Sequence, residues 1–260
     1  MISNNYKAEL KWMKLYIITV PFVIFFSYSI YLFCTDSMIE KMKDENQFFE
    51  LGTAILFLTT SLICIISYRH YRNIFILLLS ILLFFGAGEE LSWGQNFIGF
   101  KTPDELKKIN VQKEFNLHNI EIFNTNNFDH TQKKGWRRLF EINFLFRVFI
   151  ILYGIILPLT VFHNKWIKKI VSKIKIPIPP ISLGLFFLVS WLVFIIVLYF
   201  LPAGKNNNYY ESAGEIFEFL TAYVFFLIGI YFFKMRKENI MGIDIKEYLT
   251  QSKMINSALD

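Results

Sequence analysis

Apolar residues in this chain come in long blocks separated by short charged stretches. Six blocks, near 15–34, 48–67, 74–95, 143–162, 181–201 and 212–233, run with almost no charge. Each is long enough to cross a hydrocarbon core of about 30 Å, which takes roughly 20 helical residues. The pattern predicts an all-α fold, a polytopic membrane helical bundle with about six transmembrane helices over residues 1–234. Between the third and fourth blocks, residues 96–142 form a polar and amphipathic outer loop lying along the interface, and 235–260 form a cytoplasmic tail. The third block departs from the rest. It ends in Gly86-Ala87-Gly88-Glu89-Glu90 and so carries charge to the membrane boundary.

Composition agrees with lipid as the solvent. Hydrophobic residues make up 54% of the chain, Phe alone numbers 30 and mean hydropathy is +0.41, more apolar and aromatic than an ordinary soluble domain. Abundant Phe, Ile, Asn and Lys point to an AT-rich genome, which carries no functional information. The first block is too long for a signal-peptide core and lacks a small-residue cleavage site, so it reads as an uncleaved first span. Cys34 and Cys64 fall near opposite ends of consecutive spans, which argues against a disulfide or a cysteine metal site.

The formal charge of +6 could suggest nucleic-acid binding, but its distribution argues otherwise. Lys7, Lys11, Lys14, Arg69, Arg72, the lysines of the loop 163–180, and Lys234, Arg236 and Lys237 all fall on one side of the membrane if the spans alternate. The other side is net acidic. By the positive-inside rule both termini are expected to be cytoplasmic. The loop 163–180 reads as a basic juxtamembrane segment, stiffened by Pro177, Pro179 and Pro180 before the fifth span.

In the outer loop, Thr102-Pro103-Asp104-Glu105 has the form of a capping box with Pro at the first helical position. Gly135-Trp136-Arg137-Arg138-Leu139-Phe140 is amphipathic and suits the interface before the fourth span. Between them, 110–119 is dense in polar side chains. If this segment is helical, Glu114 and His118 at i, i+4 face the same way.

Ionisable side chains at a membrane boundary require a structural or functional reason. Glu50 enters the second span, Glu89 and Glu90 leave the third, and Glu211, Glu215 and Glu218 form an i, i+4, i+7 stripe at the start of the sixth. All six map to the outer ends of their spans. There is also an internal echo: residues 49–57 and 217–225 share Phe, Glu, Thr, Ala and Phe at corresponding places, which puts Glu50 and Glu218 at equivalent heights. Carboxylates held together at a low-dielectric boundary must keep a proton, find a cation or bind a metal. Carboxylate plus imidazole from His118 suits Zn, Mn or Fe, and an all-oxygen set suits Mg or Ca. Three readings stay open: a metal or catalytic site, a proton- or cation-conducting site, and interfacial carboxylates that are hydrated or paired with Arg147 or Arg138. No phosphate-binding glycine loop, dinucleotide fingerprint, nucleophile elbow or zinc-ribbon spacing is present. Ser92 follows the Glu pair, but nothing in the sequence places a base beside it.

Gly88-Glu89-Glu90-Leu91-Ser92-Trp93-Gly94-Gln95, then Thr102-Pro103, then Asn110 through Asn119 with its Asn-Leu-His-Asn ending, resembles a family of uncharacterised bacterial polytopic membrane proteins. Those proteins are similar in carrying a Gly-Glu-Glu-x-Ser-Trp-Gly-Gln segment at a span's end and a downstream Asn-Leu-His-Asn. The resemblance covers residues 86–120 and implies a shared fold but no named reaction. It draws attention to Glu89, Glu90, Gln95, Glu114, His118 and Asn119.

The leading expectation is an enzyme embedded in the lipid bilayer and acting at the outer face on a lipid-linked or envelope substrate, with no nucleic-acid partner. Glu50, Glu89, Glu90, His118 and Glu218 are its expected catalytic residues. Gln95 and Asn119 are expected to bind a cofactor, and Glu50, Glu90, His118 and Glu218 a divalent metal. The alternatives are a proton- or cation-coupled transporter or channel, and a non-catalytic scaffold subunit.

Overall fold

The computed structural model describes residues 16–41, 48–129, 131–200 and 207–238. Most of the expected tail 235–260 lies outside these. The described chain is all-helical, and no strand longer than an isolated bridge occurs among its residues.

Helix α1 (Tyr16–Tyr28) is apolar but shorter than a full span as described. Among the described residues, four helices are long and apolar enough to cross a membrane: α2 (Phe48–Tyr71), α4 (Ile142–His163), α6 (Ile181–Phe200) and the apolar part, Ser212–Lys234, of α7 (Asn207–Glu238). A fifth forms if α3 (Ile74–Glu90) is counted with the short helical segment after it, across a 65° bend. The expected six therefore correspond to four or five full crossings plus α1. Large apolar side chains such as Ile18, Phe22 and Ile196 face outward, the arrangement of a bundle whose solvent is lipid. This is a multi-pass helical membrane protein.

Helices α2 and α3 form a tight hairpin. Arg72 takes a left-handed φ of 53° in the turn, and the Asn73 side chain caps α3 by accepting from Phe75 N at 2.9 Å and Ile76 N at 3.4 Å. Asn73 also donates to the carbonyl of Lys175 at 2.6 Å, tying the hairpin to the end of α5 (Lys165–Ile174). Helix α5 occupies the basic loop and is capped by Asn164.

Helix α7 lies at the centre. Its Phe225 is fully buried, with the rings of Phe57, Phe146, Phe149 and Phe187 at centroid distances of 6.5, 6.0, 6.1 and 5.2 Å. Small residues let the neighbouring helices close in, as they do where lipid leaves little hydrophobic force between helices. A Cβ on Gly184 of α6 would stand 2.2 Å from the carbonyl oxygen of Gly154, inside the π-helical stretch Ile150–Ile156 of α4. Any side chain there forces the two backbones apart.

Helices α2 and α7 run parallel and in step. Phe49 packs on Phe219 at 5.5 Å, Phe57 faces Phe225, and Gly229 abuts Thr60. The residues of the internal echo therefore pack at the same heights, with Thr53, Ala54 and Phe57 on one helix and Thr221, Ala222 and Phe225 on the other all buried. Farther along, Ser61 and Ser80 hydrogen-bond to each other at 3.0 Å, and Thr60 and Ser67 donate to carbonyls of their own helix.

A candidate cation site at the carboxylate rim

Helix α3 stops at Glu90, and the reason is visible in the backbone. Ser92, Trp93 and Gly94 follow with φ of 43°, 54° and 81°, a left-handed turn that only the glycine adopts without strain. The turn folds the Trp93 ring back over Gly88, where a Cβ would lie 2.9 Å from ring carbons. From there the indole N–H donates to Glu89 Oε1 at 2.7 Å.

Glu89 is buried, and its other oxygen accepts the backbone N–H groups of Leu117 at 2.7 Å and His118 at 2.8 Å. His118 Nδ1 stands 3.5 Å from the same oxygen. These are charge-assisted hydrogen bonds, the stronger kind, and they fasten the loop to the end of α3.

The rest of the motif stitches the loop to itself. Gln95 donates to Thr102 Oγ1 and accepts from Phe115 N, both at 2.7 Å. Asn110 Oδ1 accepts from the backbone of Gln112 and Glu114, while its amide donates to Asn116. Glu114 Oε2 receives the Ser92 hydroxyl at 2.9 Å, Asn116 at 2.7 Å and Asn119 at 3.3 Å; Asn119 donates in turn to Gln112.

Two local expectations fail here. Residues 110–119 are a chain of turns, so Glu114 and His118 are not one helical turn apart. Asparagine side chains bond nearby backbone groups and outcompete a helix, which is why they favour turns. The capping box also does not form. A single turn, Asp104–Lys107, begins after Pro103 without a side-chain cap, and Thr102 is held by Gln95 instead. Gln95 and Asn119, expected to hold a cofactor, sit within this network.

Glu90, next in sequence to Glu89, faces the other way. One carboxylate oxygen each of Glu90, Glu215 and Glu218 lies within 4.8 Å of the others. Two helices supply the trio: α3 gives its last residue, and α7 gives two residues three apart on one face. Glu50 is within electrostatic reach of Glu90, and His118 and Arg147 are within reach of Glu218. Of the expected metal set, Glu90 and Glu218 are in the trio, while Glu50 and His118 stand just outside it. Glu215 takes the third place, and the i, i+4, i+7 stripe was the signal for it. Glu211 also lies on α7, but its side chain is outside the described residues.

Two threonine hydroxyls of the same helices are buried with no hydrogen-bond partner among the described residues, Thr53 at 0% exposure and Thr221 at 1%. Each sits one turn below a rim carboxylate, Glu50 or Glu218. Three clustered carboxylates are a donor set that suits a hard divalent cation.

At the foot of α4, Glu141 and Lys133 are both buried. Burial pushes the Glu141 carboxyl above its ordinary value, against the pull of Arg138 at 3.7 Å, Lys133 and Arg147. Burial likewise pushes the Lys133 ammonium below its ordinary value, opposed by Glu141 and Glu121.

Comparison of the chain with protein-family models, with curated proteins and with solved structures finds no match.

Proposed function

We propose that this chain is a bacterial inner-membrane protein, with both termini cytoplasmic, that binds a divalent cation at the outward rim of its bundle. It uses that ion as a membrane-embedded enzyme on a lipid-linked or envelope substrate. The observation that carries the reading is the convergence of Glu90, Glu215 and Glu218. Three negative charges so close repel strongly at a boundary of low dielectric, and a bound cation relieves that repulsion while gaining oxygen ligands. A carboxylate-bound metal could polarise a phosphoryl or carbonyl oxygen of a substrate arriving in the bilayer, with a neighbouring carboxylate such as Glu50 as general base and His118 as acid. The trio's place at the end of the bundle suits a substrate with its reactive group at headgroup level. Membership of the Gly-Glu-Glu-x-Ser-Trp-Gly-Gln family is part of the same proposal; there Glu89, Gln95 and Asn119 hold the loop that carries His118.

A conducting path is less favoured. Four of the buried hydroxyls deeper in the bundle, Ser61, Ser80, Thr60 and Ser67, are bonded to one another or to backbone carbonyls, the usual glue between membrane helices.

The test is metal content of the full chain purified in detergent, beside a Glu90→Gln, Glu218→Gln variant with the same elution and helicity. About one equivalent of divalent metal in the parent and none in the variant is expected. Equal, negligible metal in both removes the reading. Metal-dependent turnover of an envelope lipid extract by the parent alone then tests the enzymatic part.

A further inference from the structure

A second polar feature lies away from the carboxylate trio and does not depend on it. The loop preceding α4 forms an open hollow of about 450 Å3 lined by Asn127, Thr131, Gln132, Lys133, Lys134 and Arg137. Its walls are fixed by the Asn126–Gln132 bridge and by Asn127 N donating to the Thr131 carbonyl at 2.9 Å. Three of its lining residues are cationic.

Lys133 is 6% exposed, and its ammonium donates to the carbonyls of Glu121 and Asn124. Lys133 therefore brings a positive charge to the wall of the hollow, while Lys134 and Arg137 supply the cationic groups that a ligand can reach. Lys134 and Arg137 are exposed at the mouth. The acidic groups nearby are Glu141, 3.7 Å from Arg138, Asp129, which accepts from the Thr131 hydroxyl at 2.6 Å, and Glu121; Glu141 and Glu121 are within electrostatic reach of Lys133.

The hollow's position says what anion meets it. Gly135–Phe140 is a 3-10 turn that presents Trp136 at 70% exposure, with Leu139 and Phe140 also outward, beside Arg137 and Arg138. It leads through Glu141 directly into the membrane-crossing Ile142–His163. Aromatic and apolar groups beside arginines at the end of a span sit at headgroup level, where lipid phosphates lie.

We propose that this hollow is a binding site for the phosphate of an anionic membrane lipid, seated among Lys133, Lys134 and Arg137 with its acyl chains along Trp136, Leu139 and Phe140.

The test uses the full chain in phosphatidylcholine nanodiscs. Short-chain phosphatidic acid, short-chain phosphatidylcholine and inorganic phosphate are titrated separately. Two variants are compared, Lys134→Gln with Arg137→Gln, and the charge-matched control Lys107→Gln with Lys108→Gln, whose side chains pair with Asp104 and Glu105. Phosphatidic acid is expected to bind more tightly than phosphatidylcholine, and the first variant to lose roughly tenfold in that affinity while the control keeps it. All substituted side chains are at least partly exposed, so melting temperature should stay within the control's range. The proposal is overturned by equal binding of the two lipids, by full affinity in the first variant, or by inorganic phosphate binding as tightly as the lipid.

Discussion

Glu89 and Glu90 are adjacent in sequence and opposite in circumstance. Glu89 turns into the loop, where an indole N–H and two backbone N–H groups satisfy it and His118 stands alongside. Glu90 turns toward α7, where its near neighbours are the carboxylates of Glu215 and Glu218. The first carboxylate holds the structure together. The second costs the structure energy unless a cation or protons arrive, and a group kept at a cost is the better candidate for function. The difference follows from the helix: residues one apart point about 100° away from each other, so a Glu pair at a helix end serves two surfaces.

That contrast can be tested from both sides. Glu89→Ala should have the largest effect, because it leaves the part-buried N–H groups of Leu117, His118 and Trp93 without their common acceptor. A loss of about 3 kcal/mol is expected, read as a lower thermal midpoint and early proteolysis within 96–142. Gly88→Ala probes the same clamp indirectly. A Cβ against the Trp93 ring should displace the indole and cost about 1–2 kcal/mol, with altered tryptophan fluorescence as the readout.

Glu90→Gln should act in the opposite direction. Removing one of three clustered charges should raise the midpoint of metal-free protein by on the order of 1 kcal/mol and abolish stabilisation by added Mn2+ or Mg2+. A destabilised Glu90→Gln protein would show that Glu90, like Glu89, is a structural acceptor, and the distinction between the pair would collapse.

The smallest expected effect concerns pH. Burial raises the Glu141 carboxyl in the folded state, so the folded protein holds this proton at pH values where the unfolded chain has lost it. Its contribution to stability is therefore present below the ordinary carboxyl range and is lost as pH rises through the raised value. A thermal midpoint measured across mildly acidic pH should fall as pH rises in the parent, and that slope should flatten in Glu141→Gln. An unchanged slope would assign the dependence to other carboxylates.

Much of the fold was legible along the chain because lipid imposes a one-dimensional rule: a helix must be apolar for its full crossing length. The blocks at 48–67, 143–162, 181–201 and 212–233 reappear as α2, α4, α6 and α7. The block at 74–95 was too simple a reading, since it merges a helix ending at Glu90 with a left-handed turn that hydropathy does not register. In the loop, the density of asparagine and glutamine was plain, yet the helical spacing of Glu114 and His118 was misleading. Side-chain bonds to the backbone, such as those of Asn110, decide that conformation and leave no periodic trace.

The site divides in the same way. Sequence alone determined that Glu50, Glu90, Glu215 and Glu218 stand at the ends of apolar helices, because depth follows from counting residues along a helix of fixed rise. Only the tertiary structure decided which of them meet. That depends on how α2, α3 and α7 are rotated and stepped against one another, which is set by contacts as particular as Gly52 under Phe219 and Gly229 against Thr60. Such contacts join residues more than a hundred and fifty positions apart in the chain, and no local pattern specifies them.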